Sequence, residues 1–206
     1  MKNLIRMPAP GNIMSRSSSI TNAFVNSLIP IVTPSEEEVL EALQILQINP
    51  DHQTCAYCGD TATEWDHLRP LVSGQKPTGF ITEIANLVPA CGKCNQSKGN
   101  QPWRGWINSN ARLSPKSRGI PDLNSKIECL GDFEKWRKVA PINFEEIVDP
   151  EMWTTHWENR KRVIDEMKTS QELAARIRKV IIEKYATQHS EHAGVGKSEA
   201  PKESIE

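Results

Sequence analysis

Two Cys-x-x-Cys pairs, Cys55/Cys58 and Cys91/Cys94, frame a stretch that holds Asp66, His67 and Asn86, and Asn95 directly follows the last cysteine. Each short turn can aim two thiolates at one ion, and four thiolates are the tetrahedral donor set of a structural Zn²⁺. Such a site is closed and leaves no position for water. Redox use of one pair is the alternative, but it would not require the second pair. Cys129 stands outside both and reads as a buried apolar cysteine.

A plain zinc ribbon spaces its pairs by roughly 15–20 residues. Here 32 residues separate Cys58 from Cys91, and the added length carries the polar residues. Hydrolysis of a phosphodiester needs a base for water and a cation to offset charge on the phosphoryl and leaving oxygens. His67 is suited to the base because imidazole titrates near neutrality. Asp66 offers a hard oxygen for Mg²⁺ or Mn²⁺, and the Asn95 amide offers a second. Asn86 reads as a brace that hydrogen-bonds backbone near His67. Lys98, one turn beyond Asn95, can meet a phosphate. Taken singly these residues have plainer readings: a structural histidine, a turn carboxylate, loop asparagines, a solvated lysine.

Adjacent strand residues face opposite ways, so Asp66 and His67 can share a site only at a strand end or distortion. Arg69-Pro70 just beyond supplies an irregular exit. The spacing predicts short strands in "TEWDHLRPLV" and "FITEIANLVPA", joined by the loop "SGQKPTG", with a helix beginning at the second cysteine pair. Gly99 and Pro102 disturb that helix. Upstream, Ser35 and Glu38 form a capping-box signature for a helix with the apolar stripe Val39, Leu40, Leu43 and Leu46, stopped by Asn49-Pro50. Residues 109–149 read as loop-rich. Two helices follow, the second capped by Ser170. Trp103 and Trp106 read as core in preference to base-stacking platforms.

"CAYC…WDHLRP…NLVPACGKCNQSKG" resembles the HNH endonucleases, the ββα-metal nuclease superfamily, in the variety framed by two zinc-binding Cys-x-x-Cys pairs. The resemblance covers about residues 55–100. It implies that His67 is the general base, that Asp66 and Asn95 bind the catalytic divalent cation, and that Asn86 positions the loop. Asn95 stands at the third motif position in place of histidine, a substitution the family commonly shows, which bears on the choice of metal.

The expected fold is α+β: a zinc-stapled ββα-metal module with mainly helical flanks. Its expected parts are an N-terminal arm (1–34), a packing helix (35–50), the nuclease module (51–108), a loop-rich and helical region for recognition or dimerisation (109–186) and a disordered tail (187–206). Net charge is −1 with 25% charged residues, so attraction to a polyanion must be local. Residues 93–138 hold ten basic against four acidic side chains. Lys98, Arg104, Arg112, Lys116 and Arg118 are the expected phosphate contacts. The N-terminus has no continuous apolar h-region and no run approaches the ~18 apolar residues of a membrane span. A cytoplasmic protein with no membrane partner is expected. The function implied is metal-dependent cleavage of DNA, most plainly duplex, in a restriction or phage-defence setting, with a homodimer or a defence-system protein as partner. The alternatives are a non-catalytic zinc-ribbon binding module and a nuclease acting on RNA or branched DNA.

Overall fold

The structure, a computed structural model, describes residues 8–194, with side chains through residue 188. The chain divides into two units, Ser18–His156 and a second that joins the segment before Ser18 to the chain from Trp157 onward.

In the larger unit, helix α1 (Ser17–Asn26) precedes helix α2 (Glu36–Ile45). α1 buries Thr21 and Val25, so the segment expected to be a loose arm contributes a helix; its three serines and Asn22 hide the period. α2 starts as its sequence requires. The Ser35 hydroxyl accepts from Glu38 N–H at 3.2 Å and the Glu38 carboxylate accepts from Ser35 N–H at 2.9 Å. Its buried face is Ala42 and Leu43, followed by Leu46, whereas Leu40 of the expected stripe is 45% exposed.

Strand β1 (Glu64–His67) pairs antiparallel with strand β4 (Leu87–Ala90), Asp66 opposite Val88 and His67 opposite Leu87. Between them lie a two-residue hairpin, β2 (Val72–Ser73) with β3 (Lys76–Pro77), and a 3₁₀ turn over Ile84–Asn86. Helix α3 (Gly92–Lys98) follows β4 with Cys91 as its N-cap, and helix α4 (Trp103–Ile107) follows after a break. Gly99 causes the break: at φ +50° it takes a conformation that side chains resist, and it ends α3. This is the ββα arrangement expected for 51–108.

Residues 109–149 are less irregular than expected. Helix α5 (Leu123–Trp136) fills the middle of that stretch, and a short helix α6 covers Phe144–Ile147. Leu123, Ile127, Leu130, Phe133 and Trp136 do recur at helical spacing, but Asn124, Ser125 and Gly131 weaken the signal. α5 packs on α2 and on the turn that carries Asn86. Leu43, Leu68, Val88, Trp103, Trp106, Leu130 and Phe133 share one core with the four cysteines.

Helix α7 spans Pro150–Gly194 without interruption, replacing the two helices expected and extending through positions 187–194 of the expected tail. No glycine or proline occurs between Glu151 and Ala193, so a Ser170 cap has no break to exploit. Positions 195–206 lie outside the described residues. In the second unit the Ile13 N–H donates to Gln171 Oε1 at 2.7 Å. Leu173, Ile177, Val180 and Ile181 remain exposed along the helix. Among the described residues no helix is long and apolar enough to cross a membrane.

Leu43, 1% exposed, is central to the core. Leu43→Ala is expected to cost about 2–5 kcal/mol in urea unfolding. A loss below about 1 kcal/mol would place α2 outside the cooperative core.

Candidate active site

The cysteine turns are fixed by backbone before any metal is considered. Cys55 N–H donates to Asp60 O at 2.7 Å and Gly59 N–H to Cys55 O at 2.8 Å, closing the first knuckle. Ala56 N–H donates to Pro89 O at 2.8 Å and Thr63 N–H to Ala90 O at 2.9 Å, which hang that knuckle on β4. β4 leads directly into Cys91, and one helical turn later comes Cys94. As a result the four sulfurs lie within 4.8 Å of one another, all in buried residues. Hydrogen bonds from the Cys55 and Cys94 thiols push Cys58 far below its usual range and push those two thiols up. Four buried sulfurs this close together are suited to one Zn²⁺, which would displace the protons that Cys55 and Cys94 retain.

In β1 Asp66 is buried, at 5% exposed. Its Oδ2 accepts from the Tyr57 hydroxyl at 2.7 Å and faces Lys98 Nζ at 3.1 Å, while Lys98 donates to Oδ1 at 3.3 Å. Lys98 also donates to His67 O at 2.7 Å and Gly99 O at 3.4 Å. Burial pushes the Asp66 carboxyl up and the Lys98 ammonium down, each opposed by the charge of the other. Burial and the Asp66 charge hold Tyr57 well above the usual phenol range, so its hydroxyl remains a donor.

His67 ends β1, where the ladder gives way, and this lets it open on the same side as Asp66. Its Nε2 lies 2.9 Å from Thr82 Oγ1. Burial, with a smaller contribution from Lys98, lowers its pKa to about 4. Immediately beyond, Asn86 clamps the chain. Its Oδ1 accepts from Arg69 N–H at 2.8 Å, and its Nδ2 donates to Arg69 O and Ile81 O, both at 3.2 Å. Arg69 in turn donates to Ala85 O and to Glu134 O, at the C-terminal end of α5.

Asp66, His67 and Asn95 line one cleft of about 390 Å³ together with Asn22, Asn26, Thr82 and Asn100. Two hard oxygen donors, from Asp66 and Asn95, on the wall of this cleft fit a divalent cation such as Mg²⁺ or Mn²⁺. Asn86 is fully buried behind it.

The basic residues fall elsewhere. Lys98, expected to reach phosphate, has a fully buried side chain committed to Asp66. Arg118 spans Cys94 Sγ at 3.4 Å and Asp60 at 2.8 Å, so it faces the sulfur cluster. Arg104 grips Glu134 through two nitrogens and lies over the Trp103 ring. Arg112 and Lys116 are exposed. None of these five is among the residues lining the cleft. Tyr57, Thr82 and the α1 asparagines carried no signal beyond the place of Tyr57 between two cysteines.

Residues 55–101 match the family model of HNH endonuclease, and the cysteine-framed ββα module is an HNH endonuclease domain. Two curated relatives are similar over this region, both named CRISPR-associated endonuclease Cas9. The protein from Actinomyces naeslundii is 34% identical over 91 residues, 42% of this chain. That from Corynebacterium diphtheriae is 43% identical over 100 residues, 44% of this chain. The chain spans only 7% and 9% of the length of these relatives. No solved structure matches significantly.

Two outcomes are expected. Purified protein should carry one zinc per chain by elemental analysis, and Cys91→Ala should lose it along with stability on the order of several kcal/mol. Full occupancy in that variant would remove Cys91 from the ligand set. The second outcome concerns pH. The folded pKa of His67 lies below its unfolded value near 6.5, so the stability tied to its neutral form is complete above about 6.5. It is lost as pH falls through about 4. An NMR titration of the imidazole without added magnesium should show its midpoint near 4, and a midpoint above 6 would contradict its burial.

Proposed function

We propose that this chain is a metal-dependent endonuclease that hydrolyses DNA, with a role in restriction or phage defence. The observation that carries the reading is the convergence of Asp66, His67 and Asn95 on one cleft beside a four-cysteine cluster. The defence setting rests on the relatives, both named as CRISPR-associated endonucleases.

In this reading His67 is neutral at neutral pH and accepts the proton of an attacking water. Thr82 holds the ring by Nε2, which keeps the imidazole aimed into the cleft. The water oxygen bonds to phosphorus as the bond to the 3′ oxygen breaks; the 3′ oxygen takes a proton from solvent and His67 returns its own to solvent, leaving 5′-phosphate and 3′-hydroxyl ends. Asp66 and Asn95 would hold the divalent cation, which when bound would supply charge to offset that on the phosphoryl and leaving oxygens. Asn86 acts from behind: by fixing the backbone of residue 69 it holds the end of β1, and with it His67.

The test is cleavage of duplex DNA, single strands and RNA with Mg²⁺ or Mn²⁺, wild type beside His67→Ala. Duplex DNA should be cut by the wild type, and loss of the base should slow this by about 10²–10⁴-fold. If wild type binds DNA but cuts nothing in any metal, the domain is a binding module; preferential cutting of RNA would replace the substrate class.

A further inference from the structure

Tyr57 belongs to the zinc knuckle by sequence and to the cation site by contact. It is one residue from Cys58 and two from Cys55. Its ring is fully buried and meets Trp106 edge-on, with centroids 5.2 Å apart and planes at 85°. Its hydroxyl reaches across to Asp66 Oδ2 at 2.7 Å. We propose that Tyr57 is a positioning residue that transmits the fixed geometry of the four-cysteine knuckle to the Asp66 carboxylate, setting its affinity for the divalent cation. The inference rests on Asp66 being a cation ligand, as in the proposed function.

The physical case lies in what the hydroxyl does that its neighbours do not. An ionised carboxylate accepts about four hydrogen bonds and can swing about its last torsion. Lys98 holds Asp66 by charge, a contact with little directional preference, at 3.1 and 3.3 Å to its two oxygens. The phenol adds a short directional bond to one oxygen, which fixes the carboxylate plane. It does so without a second positive charge, which would repel an incoming cation. The phenol itself cannot drift. The cysteines confine it on both sides, Ala56 N–H is bonded to Pro89 O at 2.8 Å, and Trp106 blocks the ring.

Tyr57→Phe removes the hydroxyl and keeps the packed ring. Titrated with Mn²⁺ and followed by electron paramagnetic resonance, this variant should bind the ion about tenfold more weakly, the usual lower effect of losing a partner to a metal ligand. Zinc content should stay at the wild-type level. Cleavage should fall at low Mn²⁺ and recover as Mn²⁺ is raised, with KM for DNA at saturating Mn²⁺ unchanged. Unaltered Mn²⁺ affinity in zinc-loaded Tyr57→Phe would overturn the proposal.

A second measurement avoids dependence on that variant folding. The chain has two tyrosines, so fluorotyrosine labelling gives two ¹⁹F signals, separable by Tyr185→Phe. The signal of residue 57 should shift on adding Mg²⁺, and its failure to move would also overturn the proposal. Because metal binding is read without cleavage, a wild type that binds Mn²⁺ and cuts nothing would sink the nuclease reading alone.

Discussion

Four sulfur atoms within 4.8 Å of one another cannot all be thiolates unless a cation lies among them. That constraint organises the larger unit. One cysteine pair lies ahead of β1 and the other begins α3, so bringing them together closes a loop of 32 residues and sets β1 beside β4. A two-stranded sheet of four residues per strand is marginal in isolation. Here the sulfur cluster, the core around Trp106 and Leu68, and the Arg69 link to α5 hold it in place.

The same closure creates the distortion that the site needs. Asp66 stays in register with Val88, while His67 is the last paired residue before Asn86 takes over the hydrogen bonds of the strand exit. Two neighbours that would otherwise face opposite ways thereby line one cleft. Lys98 completes the arrangement from α3, because its ammonium joins the Asp66 carboxylate to the His67 carbonyl. Breaking that pair would strand a buried charge, which is more damaging than never having had it.

How much of this was legible in the sequence depended on whether a residue's role followed from its spacing. The cysteine pairs, the Ser35 capping box, the two strands and the disturbance of the helix by Gly99 and Pro102 are local patterns, and each has the structure its chemistry requires. α1 and α5 were missed because serine, asparagine and glycine dilute a helical period that tertiary packing rescues. Charge in a sequence suggests a surface that meets phosphate, whereas folding brings a carboxylate to each of Lys98 and Arg118: Asp66 for one, and Asp60, beside the Cys94 sulfur, for the other. Tyr57 and Thr82 could not be assigned, since nothing in their spacing reports a partner nine or fifteen residues away.

These pairings bear on how a polyanion could be held. Ten basic against four acidic side chains over 93–138 suggested a phosphate-binding surface. Yet Arg104 is paired with Glu134, Arg137 with Glu38 and Glu41, and Lys135 with Asp132. The cleft wall itself presents amides from Asn22, Asn26, Asn95 and Asn100, and within it the Asp66 charge is already balanced by Lys98. Positive potential at the reacting phosphate would then come chiefly from the divalent cation. On the proposed reading, cation and DNA should each strengthen binding of the other, since a coupling free energy between two sites is reciprocal. The amides would supply directional contacts to sugar and phosphate oxygens, so they would govern orientation within the cleft more than the strength of attraction to it.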